Sequence, residues 1–154
     1  MKKALVVVHP HEEYDHGVVG EQFEEYVQSF EGDTYVVPSV KSDRCERPYG
    51  DAEIYDEVLE EDFYGSLKEE DNEFLETNYD EVILAGGYAR ECLRNTHQGI
   101  SGRDVQVNIE PEITYDQTFR NTEGFTLSEV IATGDKEIIG KFLEPFNNGN
   151  TGLV

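Results

Sequence analysis

Two short runs constrain this chain more than anything else in it. Ala4-Leu5-Val6-Val7-Val8 is continuous, apolar and largely β-branched, and Glu81-Val82-Ile83-Leu84-Ala85 has the same character after its first residue. Runs of this length without alternation read as strands buried on both faces, which occurs in largely parallel sheets covered by helices. Each run is followed by material that fits a βαβ unit. After the first comes a polar loop from His9 to Gly20. Glu21 to Phe30 then places Phe23, Tyr26, Val27 and Phe30 at helical spacing, and Glu31-Gly32-Asp33 closes the helix with turn residues. After the second come Gly86-Gly87 and a helical pattern of Ala89, Leu93 and Ile100.

The remaining segments fill in the same architecture. Thr34 to Val37 reads as a second strand ended by Pro38, and Lys41 to Asp51 as a surface loop. A short strand is expected within Ala52 to Leu59 and a helix over Leu67 to Leu75. Asp104 to Ile109 alternates Val105, Val107 and Ile109 as a strand with one wetter side. Ile138, Ile139, Phe142 and Leu143 mark a last amphipathic helix, and no internal repeat is found. The sum is a single α/β domain over residues 1–146, a three-layer sandwich with a mostly parallel sheet, followed by a polar tail over 147–154. Free tails fray, so an ordered tail there implies a second subunit that holds it. At 154 residues one domain is the fitting number.

Charge narrows the function classes. A formal net charge of −22 repels phosphates, so direct nucleic-acid binding and anionic membrane surfaces are disfavoured. No apolar run is long enough to cross a bilayer and no secretory leader is recognisable, which makes the cytoplasm the default location. The acidic residues interleave with periodic apolar ones, so the chain is expected to fold rather than stay disordered. A folded surface this acidic is best suited to high salt, where charges are screened, and points to a halophilic source.

In sheets of this kind, sites form beyond the carboxyl ends of the strands. Two candidate segments, His9 to His11 and Gly86 to Cys92, then face each other if the two strands are neighbours. Cys92 falls in the first turn of its helix, where backbone amides and the helix dipole favour a thiolate. The competing reading makes it an inert core residue beside Ala89 and Leu93, the commoner fate of a free cysteine. The other cysteine, Cys45, lies in the Lys41–Asp51 loop, and two cysteines form no disulfide framework. His11 and His16 suggest a metal cluster with His9, against the blander reading of solvated loop histidines, and the acid-rich Glu57 to Glu73 run reads as a solvated face.

Val7-Val8-His9-Pro10-His11-Glu12-Glu13-Tyr14 resembles the opening strand and loop of the isochorismatase and nicotinamidase family of cysteine hydrolases, commonly Val-Val-Asp-Pro-Gln-Asn-Asp-Phe. Glu81-Val-Ile-Leu-Ala-Gly-Gly-Tyr-Ala-Arg-Glu-Cys-Leu-Arg-Asn-Thr resembles the family's strand, turn and cysteine helix, including the glycine six residues before the cysteine and the threonine four after it. The resemblance implies a cysteine nucleophile, an aspartate base, an assisting lysine and backbone amides as an oxyanion hole. Cys92 matches. The aspartate position falls on His9, and the lysine position falls on or near Glu57, with Lys68 the only nearby lysine. The metal-binding set of nicotinamidases has no counterpart between Asp43 and Asp56, so neither a metal nor any other cofactor is implied.

Two functions follow. The one favoured by these departures is a catalytically degenerate assembly or binding component, a homo-oligomer or part of a virion or other multi-subunit particle. The alternative is hydrolysis of a small amide or ester through Cys92, with His9 as base, Glu57 orienting it, and the amides of Arg90, Glu91 and Cys92 as oxyanion donors.

Overall fold

The computed structural model describes residues 1–11, 19–39, 52–117, 124–147 and 151–154, and all structural statements concern these. Cys45, His16 and the Lys41–Asp51 loop lie outside them.

The strand β1 (Lys3–Val8) is apolar at every residue after Lys3, and Ala4 to Val8 are fully buried. Complete burial of both faces is what removes the usual alternation from the sequence. Helix α1 (Gly20–Ser29) buries Phe23 and Val27 on one stripe, and β2 (Asp33–Val37) follows. A 3₁₀ turn over Ala52–Ile54 leads into the two-residue strand β3 (Glu57–Val58). A small antiparallel hairpin comes next, β4 (Glu61–Phe63) and β5 (Ser66–Leu67). Helix α2 (Glu69–Asn78), strand β6 (Glu81–Gly86) and helix α3 (Cys92–Ile100) complete the second βα unit. The chain continues through β7 (Gln106–Gln117), β8 (Gly124–Thr126), α4 (Leu127–Ala132) and α5 (Lys136–Leu143), and ends in β9 (Gly152–Leu153).

The main sheet has the order β3-β2-β1-β6-β7-β8, with β9 also on β7. All its pairings are parallel except that of β8 with β7. Two apolar cores lie on its two faces. One gathers Val6, Val8, Val37, Leu75, Leu93, Ile100, Leu127 and Phe142 under α2 to α5, and the other gathers Leu5, Val7, Phe23, Val27, Ile83 and Tyr115 under α1. Alternate residues of β1 feed opposite cores, so the three-layer α/β sandwich expected from the sequence is the observed architecture.

Several elements differ from the sequence expectation, each for a local reason. The strand expected to end at Ile109 runs on to Gln117 despite Pro111, because the ladder with β6 skips from Leu84↔Ile109 to Gly86↔Thr114. That irregularity takes up the residue that cannot donate. Helix α4 was not anticipated, although Thr126-Leu127-Ser128-Glu129 is a capping signature and the Thr126 side chain accepts from the Glu129 amide at 3.2 Å. The C-terminal tail contributes β9 to the sheet of its own chain. The Gly152 amide donates to Asn108 Oδ1 at 3.2 Å, the Val154 amide to the Ile109 carbonyl at 2.9 Å, and Thr151 Oγ1 lies 2.6 Å from Nε2 of the fully buried His97. Burial holds the His97 pKa below its ordinary value. Residues 151–154 of the tail are thus held by contacts within their own chain.

Candidate functional site

Parallel register fixes the two ends of the site. Val8 pairs with Val37 on one side and with Gly86 on the other, so the loops after β1 and β6 leave the sheet side by side at its carboxyl edge. Gly86 makes this closeness feasible. Its φ is +102°, and a Cβ there would lie 2.8 Å from both the carbonyl carbon and the nitrogen of Val8. Only glycine adopts that conformation at that distance. The Gly87 amide then donates to the Val8 carbonyl at 3.0 Å, and the Gly87–Tyr88 peptide is cis.

His9 follows Val8 with φ +49°, a left-handed conformation uncommon for a residue with a side chain. Its surroundings hold it there. The His9 amide donates to the Val37 carbonyl at 2.8 Å, while its own carbonyl accepts from the His11 amide at 2.8 Å and from the Tyr115 hydroxyl. Such conformations concentrate at functional sites because the fold over-determines them. The residue is 2% exposed, and its side chain is directed to the β4–β5 hairpin, where Nε2 meets Oε2 of Glu61 in a buried hydrogen bond.

Glu61 is 7% exposed, and its Oε2 also accepts from the Gly65 amide at 2.9 Å. The hairpin turn consists of Tyr64 and Gly65 at φ +48° and +89°, the paired left-handed conformation of a tight two-residue turn. Gly65 in turn packs on the cysteine helix. A Cβ at Gly65 would sit 2.8 Å from the Cys92 carbonyl carbon and 2.9 Å from the Cys92 Cβ. The hairpin therefore links the imidazole to the first residue of α3, where Cys92 is half-buried.

The sequence-derived site is thus assembled in part and corrected in part. His9 and Cys92 are linked through the β4–β5 hairpin, since His9 meets Glu61 and the Gly65 that holds Glu61 packs on Cys92. Glu57 does not join them: it is exposed on β3, in register with Tyr35, and the acid at His9 is Glu61, four residues on. Lys68 is also remote, its Nζ 3.3 Å from Glu60 on the surface. His11 is not a solvated loop histidine, being 2% exposed with Nε2 accepting from the Ser39 amide at 3.2 Å. Among the described residues no group of three or more His, Cys, Asp or Glu side chains could hold a metal.

The amides of Arg90 and Glu91, both expected as oxyanion donors, have partners inside the fold. The Arg90 amide donates to Asp116 Oδ2 at 3.0 Å and the Glu91 amide to the Tyr88 carbonyl at 3.0 Å. Both serve to shape the turn before α3. The Arg90 side chain is anchored alongside, with Nε 2.9 Å from Asp116 Oδ2, Nη2 2.8 Å from the Gln117 carbonyl, and the guanidinium 4.2 Å from the centre of the Phe142 ring. The Cys92 amide, at the first position of α3, is the member of the trio that stands at the positive end of a helix.

Glu61 and Gly65 were missed because the local segment, Leu59-Glu60-Glu61-Asp62-Phe63-Tyr64-Gly65, reads as an acidic surface. Two signals point the other way. Leu59, Glu61 and Leu67 are the buried positions around the turn, which makes Glu61 a charge on an inward face, and Tyr64-Gly65 is a turn-forming pair between short strands.

No protein-family model matches the chain, and no curated protein sequence matches it. Solved structures do resemble it. An isochorismatase-like hydrolase from Alkaliphilus metalliredigens superposes with a TM-score of 0.66 at 14% identity, covering 100% of this chain and 94% of the other. A pyrazinamidase from Pyrococcus horikoshii, solved in complex with zinc, gives a TM-score of 0.66 at 12% identity, covering 100% and 99%. A MAR1 ribonuclease from Caenorhabditis elegans gives 0.63 at 13%, covering 98% of this chain and 77% of its own.

Proposed function

Because the chain carries the isochorismatase-like fold, we propose that it is a cysteine hydrolase of a small amide or ester, with Cys92 as nucleophile, His9 as base and Glu61 as the acid that orients His9. The observation that carries this reading is the buried His9–Glu61 pair, tied through Gly65 to the first residue of the cysteine helix. Burying a carboxylate is costly unless it is hydrogen-bonded, and such buried polar groups are poor devices for stability alone. Where the family resemblance implies an aspartate and a lysine, the site holds a histidine and a glutamate, so the signs are exchanged and neither group is simply lost. The degenerate assembly role inferred from the missing aspartate and lysine has no observation of equal weight behind it.

The hydrogen-bond pattern assigns the histidine tautomer. A carboxylate only accepts, and Glu61 Oε2 already accepts from Gly65, so Nε2 of His9 is the protonated nitrogen and Nδ1 the basic one. In the proposed reaction Nδ1 takes the thiol proton as sulfur attacks the substrate carbonyl carbon. The carbonyl oxygen gains negative charge at the α3 N-terminus, where the Cys92 amide and helix dipole stabilise it. The bond to the leaving group then breaks, and the imidazolium returns its proton to the amine or alcohol that departs. Water attacks the resulting thioester, giving its proton to Nδ1, and the acid leaves as the thiol re-forms. Glu61 stabilises the imidazolium in both halves.

The test is a screen of small primary amides for ammonia release, and of small esters for acid release, in molar KCl. Wild-type protein is expected to turn over at least one member, and Cys92→Ser to lose roughly a hundredfold or more of that rate. Equal rates in the two proteins would refute the cysteine mechanism.

The halophilic source is part of the same proposal, supported by the net charge of −22. Self-repulsion of this size is relieved by screening. The melting temperature, followed by circular dichroism, is expected to rise by several degrees between dilute buffer and molar KCl. A flat or falling dependence would contradict it.

A further inference from the structure

Building on the cysteine-hydrolase reading, we infer that Thr96 is a positioning residue that keeps the glutamate of the site in place by fastening the β4–β5 hairpin to the cysteine helix. Thr96 is fully buried on α3, one helical turn after Cys92. Its hydroxyl has two carbonyl oxygens in reach, Gly65 at 2.6 Å and Cys92 at 3.1 Å. The second is the ordinary bond of a helical threonine back to the preceding turn. A hydroxyl has one proton to give, and the shorter distance assigns it to Gly65.

That choice matters because of what the other end of the same residue does. The Gly65 carbonyl is held by Thr96 while the Gly65 amide holds Glu61 Oε2. One residue thus transmits the position of α3 to the carboxylate that pairs with His9. Asn95 strengthens the clasp, its Nδ2 donating to the Tyr64 carbonyl at 3.0 Å. Consecutive side chains of α3 therefore grip consecutive carbonyls of the hairpin turn. The hairpin is a two-stranded sheet of its own, outside the main sheet, and an isolated hairpin is marginally stable, so its bonds to α3 bear on where the turn sits. Without the Thr96 hydroxyl, the Gly65 carbonyl loses its partner on α3, and the Gly65 amide that fixes Glu61 against His9 is held less firmly.

The probe is iodoacetamide, with alkylation of the Cys92 peptide followed by mass spectrometry from mildly acidic to mildly alkaline pH, so that no substrate is needed. Thr96→Val keeps the volume and removes the hydroxyl. It is expected to slow alkylation at neutral pH about tenfold, short of the hundredfold that a full 1 Å misplacement can cost. Its pH profile is expected to move toward that of Glu61→Gln, and Thr96→Ser to restore the wild-type profile. In a Glu61→Gln background, Thr96→Val is expected to add nothing further. A purely structural threonine would lower the melting temperature while leaving the profile where it was. A Thr96→Val profile that superimposes on wild type, while Glu61→Gln is displaced, overturns the inference and leaves the hydrolase reading standing. If Glu61→Gln itself superimposes on wild type, the reading falls and the inference with it. Should Thr96→Val fail to fold, the smaller Thr96→Ala is read in the same way.

Discussion

Gly86→Ala is expected to prevent folding outright. The new Cβ would enter the backbone of Val8, 2.8 Å from both its nitrogen and its carbonyl carbon, at a φ of +102° that L side chains rarely adopt. Neither neighbour can yield, because Val8 is fully buried and paired on both sides, with Val37 and with Gly86 itself. A domain is held by about 5–15 kcal/mol, and a backbone overlap at the centre of the sheet removes upwards of about 4–5 kcal/mol of it. Gly102→Ala is the control. Gly102 also has positive φ, +82°, but nothing lies within 4 Å of its Cβ position, so only backbone strain of roughly 1–2 kcal/mol is expected. Thermal melts of the two variants in molar KCl separate the effects. A cooperative Gly86→Ala melt within a few degrees of the Gly102→Ala melt would mean that β1 and β6 are not packed as described.

Glu61→Gln is expected to leave the fold in place and remove most of the turnover, about a hundredfold to ten-thousandfold in kcat. The reason is the lost charge. The wild-type carboxylate accepts from Gly65 and from His9 Nε2, which leaves Nδ1 basic. A glutamine can keep its carbonyl oxygen toward Gly65 and Nε2 but carries no negative charge, so the imidazolium formed when Nδ1 takes the thiol proton loses its stabilising partner. KM should change little, since Glu61 is buried behind His9 and acts through it. The check is steady-state kinetics on whichever amide or ester the screen identifies. A Glu61→Gln enzyme with wild-type kcat would show that the pair has no part in proton transfer.

How much of this was legible beforehand varies by element, and the variation has physical causes. The strands β1 and β6 were readable because burial on both faces writes itself as an uninterrupted apolar run. Their adjacency, and hence that of His9 and the Cys92 turn, followed from the architecture. The acid of the site was not readable in the same way. Glu57 and Glu61 lie in one acidic stretch, and which of them faces inward depends on a tight turn at Tyr64-Gly65 and on the packing of Gly65 against Cys92, a contact between segments 27 residues apart. The partners of two amides named as oxyanion donors were hidden for a similar reason. The amides of Arg90 and Glu91 are used by Asp116 and Tyr88 in forming the turn, and Asp116 comes from a strand whose extension past Pro111 the local sequence argued against. Long-range pairing decided each of these, and a pattern read along the chain does not contain it.

Thioester turnover tests the central claim most directly. Wild-type protein in molar KCl, mixed with excess p-nitrophenyl acetate, is expected to acetylate Cys92 transiently and to release product over many cycles. Intact-protein mass spectrometry should show the adduct rise and clear, and His9→Asn, a residue tolerated at the left-handed φ of that position, should slow both phases. An acetyl group that accumulates on Cys92 and stays, at the same rate in His9→Asn, would contradict the account.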